Sequence, residues 1–468
     1  MNGRSVIFMN KSLKRYIITD KAFYAEAILI ILPVVLQAII NQGVNMMDTI
    51  MVGKLGEVAI SASSLANQFY NIYLFLCMGL SAAGLVLTAQ YWGADDKVTV
   101  RKVFDLLIQI ILASSLIFAA VSLLFSRQII TIYTQDPEVI EAGARYLRIT
   151  SLVYLPHGIA LVISNIMRSA GNPKIGLYVS IASFFINIGA NYVFIFGKLG
   201  FPAMGVAGAA LGTLCSRIVE FLVCTFFVLK VDKKLLYSPV NLFKLPELPL
   251  LREFIRLGLP AIISDTILAL ASSAIGIILG HMGKEFVSAY SIVMVVDRMC
   301  TLATQGVGSA AGIMVGQAVG AGEKEEAKKR GFSFLTLTSI LGIIGAVLVL
   351  IVGDWSISLY DVAPETVTIT RTMMFASALV VPFQNIASTL GKGVLRGGGD
   401  TRFLMVADVI FQWIASIPLG YLVGIVLRCS PFLVLLTVRI DYVLKSIWFI
   451  LRLSGDKWIH QVKRQKRA

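Results

Sequence analysis

Asp48, Asp265, Asp297, Asp408 and Asp441 stand inside long apolar stretches of this 468-residue chain. An ionisable side chain at membrane depth costs about 2.5–3.5 kcal/mol on insertion scales, so each of these acids calls for a chemical reason. Asp48 leads. It lies in the run Asn45-Met46-Met47-Asp48-Thr49-Ile50-Met51-Val52-Gly53, fifteen residues after Pro33. At about 1.5 Å per residue that is about 22 Å along a helix. A desolvated carboxyl there is available to a proton or a cation, whereas an acid at a helix end would only meet interfacial water. Asn187 and Asn191 are four apart and share one helical face. With Asp48 and Thr213 they could build an oxygen cage for Na⁺, or hold a protonated Asp48; ordinary interhelical hydrogen bonding is the plainer account.

The remaining acids divide into two groups. Asp297 adjoins Arg298, and Asp441 follows Arg439 by two, which reads as local or interhelical ion pairs. Asp265 and Asp408 have no basic residue close in sequence. With Asn165 and Gln68 they are the candidates for a substrate cavity whose acidic surface attracts cations. Pro33 lacks an N–H and crowds its own turn, so the first span is expected to bend there.

Other chemistry is thin. His157, His281 and His460 are dispersed, and no GxxxxGK[ST] loop exists to bind ATP. Gly397-Gly398-Gly399 follows no strand and reads as an interhelical turn. The five cysteines (Cys77, Cys215, Cys224, Cys300 and Cys429) have no paired spacing and read as small apolar residues. The aromatics Phe69, Tyr70, Tyr73 and Phe75 could line a cavity, with packing the simpler role. No clustered catalytic set is present, so an enzyme is not expected; no metal beyond a coupling cation and no cofactor is called for.

The elements that must position these residues are set by composition. The chain is 57% hydrophobic and only 15% charged, against about 25% charged in a typical soluble domain. With a mean hydropathy of +0.81, this is an all-α polytopic membrane protein. Continuously apolar runs at helical length lie near 24–50, 61–92, 103–126, 146–167, 175–197, 205–229, 254–282, 286–319, 332–353, 372–395, 403–427 and 431–453. They are continuous rather than alternating, which selects helices over barrel strands. The first run is too long for a cleaved signal and is expected to remain as the first span. The longest polar interruption contains Pro239, Pro246 and Pro249 and divides the chain. The expected organisation is a segment 1–22, an N-lobe 23–230, a linker 231–252, a C-lobe 253–453 and a basic tail 454–468.

The net charge of +14 could point to nucleic acid, but it follows the rule for membrane loops. Lys and Arg gather at the N-terminus (Arg4, Lys11, Lys14, Arg15, Lys21) and in every second loop. Examples are Arg101 and Lys102, Arg168 and Lys174, Lys328 and Arg330, and Arg396 and Arg402, and the series ends in the tail. Both termini are thereby expected in the cytoplasm, and no nucleic-acid partner is.

The halves resemble each other. Leu32-Pro33 returns as Leu259-Pro260, and at that same offset Gly53 meets Gly280, Gln90 meets Gln317, and Gly93-Ala94 meets Gly320-Ala321. Six spans return the chain to its starting side. The repeats must then be two six-helix bundles related by a pseudo-two-fold axis along the membrane normal, an architecture suited to alternating access.

At these residues the sequence resembles the multidrug and toxic compound extrusion (MATE) family. The resemblance rests on Asp48-Thr49-Ile50-Met51-Val52-Gly53-Lys54-Leu55-Gly56, on Gln90-Tyr91-Trp92-Gly93-Ala94 with its half-repeat, on Asn191 to Gly197, and on Gly205 to Thr213. It implies a twelve-helix, two-lobed, monomeric exporter in the cell membrane that exchanges inward H⁺ or Na⁺ for outward small-molecule organic cations. By position, Pro33 matches the family's helix-1 bend, Asp48 its N-lobe coupling acid, and Asn187 and Thr213 partners in the cation site. At Asn191 many relatives carry a second acid. A rival of the same architecture, a lipid or oligosaccharide-lipid flippase, would need a strongly cationic cavity for pyrophosphate. Arg217, Arg298, Arg439 and Lys445 are scattered along the chain, against that reading.

Overall fold

The computed structural model describes residues 17–242, 244–360 and 362–462. The basic residues Arg4, Lys11, Lys14 and Arg15, and the tail beyond Val462, lie outside the described residues. All twelve apolar windows are helical, and no strand occurs among the described residues. The first half contains α1 (Lys21–Gly53), α2 (Glu57–Gly93), α3 (Lys97–Leu124), α4 (Ser126–Tyr133), α5 (Pro137–Thr150), α6 (Tyr154–Ser169), α7 (Lys174–Phe196) and α8 (Val206–Phe226). The second contains α9 (Leu248–Met282), α10 (Lys284–Cys300), α11 (Leu302–Ala321), α12 (Lys324–Ile357), α13 (Pro364–Ser388), α14 (Thr401–Asp408), α15 (Ile417–Tyr421), α16 (Pro431–Val438) and α17 (Ile440–Ser454).

Eight helical stretches are long and apolar enough to cross a bilayer, and ten if each of two bent pairs counts as one span. Polarity is inverted relative to a soluble protein. Ile28, Leu29, Ile343 and Ile351 are exposed, while Asn187, Asn191, Asp297 and Asp441 are buried. The chain is an integral membrane protein, with apolar side chains facing lipid and polar ones paired inside.

Two expected spans are broken. The 146–167 window is α5 and α6, which meet at 52°. Pro156, in the first turn of α6, has no N–H to offer the Leu152 carbonyl, so a straight helix cannot pass. The 286–319 window is α10 and α11, which meet at 50°. There the Thr301 hydroxyl donates to the Asp297 carbonyl at 2.7 Å and shares it with the Thr301 backbone N–H at 2.9 Å, a back-bond of the kind that bends helices. Looser π turns occupy Phe227–Val231, Thr389–Leu395, Val409–Ser416 and Leu422–Val426. Pro418 removes the N–H that the Ile414 carbonyl would otherwise receive, which accounts for the third.

Contacts gather the chain into two compact units. The N-terminal unit comprises Pro33–Thr88 and Asp96–Ile255; the C-terminal unit runs from Arg256 onward, with Ala89–Asp95 and the residues up to Leu32. In the N-terminal unit, Ala66, Ile130, Leu147, Ile195 and Ala210 form part of the core. Residues 231–252 are strapped along α3. Arg101 Nε donates to the Leu235 carbonyl at 2.8 Å, Lys102 pairs with Glu247 at 2.6 Å, and the Tyr237 hydroxyl donates to Asp105 at 2.5 Å. Burial, with that bond to Asp105, pushes the Tyr237 hydroxyl's pKa up.

In the C-terminal unit, Leu279, Val293, Met373, Val381 and Leu435 share a core. Each repeated glycine meets the other repeat's glutamine here. A Cβ on Gly93 would strike the Gln317 carbonyl, and one on Gly320 would strike the Gln90 carbonyl, the same contact made in both directions. The segment after α17 folds back: Trp458 is fully buried against Gly398, and His460 N donates to the Gly398 carbonyl at 2.8 Å. Val462 N donates to Gln90 Oε1 at 3.0 Å.

Candidate functional site

The N-terminal unit brings Asp48, Asn187 and Asn191 together. Asp48 is half-buried near the end of α1, and both asparagines are buried on one face of α7. Asn191 Nδ2 donates to Asp48 Oδ1 at 2.5 Å and lies 3.3 Å from Asn187 Oδ1. One amide hydrogen thus goes to the carboxylate and the other toward the neighbouring carboxamide. Asn191 Oδ1 is buried without a hydrogen-bond donor. This cluster exists because α8 runs close to α7. A Cβ on Gly208 would fall 2.7 Å from Ile195 N, and one on Gly212 would collide with Asn191 Oδ1. Small residues four apart allow this approach between membrane helices.

Thr213 is half-buried, and its hydroxyl donates to the Ala209 carbonyl at 3.1 Å rather than to Asp48. Asn165 is half-buried in α6 and Gln68 is exposed on α2; neither side chain bonds to Asp48 among the described residues. Pro33 is buried inside α1, which continues helically through it.

Sequence reasoning missed the charged pair beside this cluster. Arg217 donates to Glu220 at 2.6 Å, both on α8, and Arg217 is near enough for its charge to act on Asp48. Their spacing of three places them on one helical face, a signal the sequence did contain. Arg217 Nε is buried without a partner. Tyr70 and His157, also buried, bond to each other through the phenol oxygen and the ring Nδ1.

The C-terminal acids are all paired. Asp297 bonds to Arg439 and accepts from Ser377 at 2.6 Å, an interhelical pairing that bypasses its neighbour Arg298. Asp408 accepts from Ser264 and pairs with Lys445 at 2.8 Å; Lys445 reaches Asp441 at 3.0 Å. Asp265 lies 3.4 Å from Arg396 and 3.7 Å from Lys392. Chain distance hid these partners, so the acidity expected of Asp265 and Asp408 is offset by basic side chains. Asp408 and Asp441 line a cavity of about 330 Å³ within this unit, and Asp265 reaches it through its partners Lys392 and Arg396, which are in the lining.

Similarity to known proteins follows the same division. The MatE family profile matches residues 33–193 and 260–422, one segment in each half, starting at Pro33 and Pro260. The chain belongs to the MatE family. Among curated relatives, this MatE chain is 27% identical over 435 residues to the "Probable multidrug resistance protein NorM" of Agrobacterium fabrum, covering 88% of the chain and 92% of the relative. Among solved structures it superposes with a TM-score of 0.83 and 16% identity on an outward-facing multidrug resistance MATE family transporter of the MOP superfamily, covering 92% and 96% of the two chains. A MATE crystal structure in the bent conformation gives a TM-score of 0.84 at 16% identity, covering 93% and 96%. These structures share the MatE fold of this chain.

Proposed function

We propose that this MatE protein is a secondary active multidrug exporter, exchanging inward H⁺ for outward lipophilic organic cations by alternating access, with Asp48 as the coupling acid. Relatives named as multidrug resistance proteins support drug efflux as its task, and transport rather than covalent turnover as its activity. The observation that carries the coupling role is the contact of Asp48 with Asn191 at 2.5 Å in a buried polar cluster. With Asp48 ionised, the amide of Asn191 compensates part of its charge; a proton arriving at the carboxyl removes the need for that donor and frees the cluster to repack. Pro33, earlier in the same helix, is the proposed place where α1 adjusts.

A proton is favoured over Na⁺ by the donor set. Asp48 is the one carboxylate bonded into the asparagine cluster among the described residues, Asn191 standing where a second acid would help hold a metal cation, and the neighbouring Glu220 is taken up by Arg217. Sodium prefers several oxygen ligands, and here one Asp48 oxygen already receives an N–H. A one-for-one exchange of H⁺ for a monovalent organic cation moves no net charge, so the pH gradient drives it, at about 1.4 kcal/mol or a tenfold cargo ratio per pH unit. The protein works in this reading as a monomer in the cell membrane with both termini cytoplasmic.

Purified protein in liposomes tests this directly. Ethidium movement should follow an imposed pH gradient and ignore a Na⁺ gradient at constant pH. Asp48→Asn should insert normally and abolish the pH-driven movement. Continued uphill ethidium transport by that variant would remove Asp48 from the coupling role.

A further inference from the structure

We propose that the C-terminal unit contains a second ligand site, a basic cavity that takes a single carboxylate carried on an apolar body. The residues that looked scattered in sequence converge there. Arg298, Arg439 and Lys445 all line the 330 Å³ cavity, joined by Lys392 and Arg396. Two of these five cations are closely neutralised: Arg439 by Asp297, and Lys445 by Asp408 at 2.8 Å and Asp441 at 3.0 Å. The other three are not. Lys392 and Arg396 share Asp265 at 3.7 and 3.4 Å, and Arg298 makes no ion pair or hydrogen bond among the described residues.

Arg396 is the sharpest sign of a missing partner. It is 8% exposed, and its Nε is buried without an acceptor. A guanidinium presents five donors in a planar fork that suits a carboxylate. Buried polar groups are nearly always bonded, and leaving a buried charge under-bonded is costly. Lys392 and Arg298 are more exposed, so an arriving anion has access to the basic side.

Charge balance sets the ligand's valence. The five basic side chains of the lining and the four acids paired with four of them, Asp265, Asp297, Asp408 and Asp441, leave one formal positive charge. One carboxylate balances it; a pyrophosphate would overshoot. The rest of the wall sets the body, since Leu268, Ile275, Tyr290, Leu404 and Phe449 give apolar and aromatic surface. The volume is at the small end for ligand pockets, about the scale of a fused ring system. The π turns Thr389–Leu395 and Val409–Ser416 contribute Lys392 and Gln412 to the lining, and such turns recur at binding sites.

Tritiated 2-naphthoate binding to the full chain in nanodiscs is the test. Saturable binding is expected, unaffected by competing 2-naphthylmethanol or 2-naphthylmethylammonium. Arg298→Gln and Arg396→Gln should each weaken it by about tenfold or more. Arg298 has no partner to lose, so its variant should keep the wild-type melting temperature even if the Arg396 variant does not fold. No saturable binding, equal competition by the ammonium compound, or unchanged affinity in Arg298→Gln would each overturn the site. Asp48 belongs to the other unit, so naphthoate binding and proton-driven ethidium transport can fail separately.

Discussion

At Asp48 the decisive detail is which atoms already have partners. Asn191 commits an amide hydrogen to the carboxylate, and its own carbonyl oxygen has no donor. Asn191→Asp replaces that donor with a second acid. Ethidium transport by this variant should gain stimulation by Na⁺, measured in the same liposomes at fixed pH. Gly212→Ala places a methyl group against Asn191 Oδ1 and must push α8 away or turn the carboxamide; pH-driven transport should fall severalfold with little loss of expression. In the other unit, Asp297→Ala strands the buried Arg439 guanidinium, at a cost of about 3–5 kcal/mol. A lower melting temperature would register it, and Asp297→Leu combined with Arg439→Met should recover much of the loss. The sequence displayed Asn187 and Asn191 on one face because four residues make about one turn. It hid the partners of Asp297, Asp408 and Asp265, because those pairings are made across helices and no local spacing encodes them.

Helical runs were legible at the level of elements because each is continuously apolar over a membrane-sized length. Breaks were not. Pro156 and Thr301 act on hydrogen bonds, which hydropathy does not register, so two expected spans are bent by about 50°. The glycine run at 397–399 read as a turn; its further role, making room for Trp458, depends on a segment some sixty residues later. Trp458→Ala removes a fully buried indole and should destabilise the C-terminal unit by about 3–5 kcal/mol. A fall in melting temperature of the detergent-solubilised protein checks this. Asp456 sits beside Lys328, whose hydrogen bond and charge hold its carboxyl below the usual range.

On the scale of the molecule, the repeats were visible as matched small residues, and the structure gives one pair of matches a mechanical reason. Gly93 and Gly320 each clear a path for the carbonyl of the other repeat's glutamine. The arrangement is self-complementary in the manner of a two-fold interface, where the same patch serves both sides. Elsewhere the halves differ: an acid and two asparagines gather in one, while paired charges around a basic cavity occupy the other. At the glycine crossing the two repeats, different in their polar chemistry, impose one and the same limit on each other: neither tolerates a side chain where the other's backbone passes.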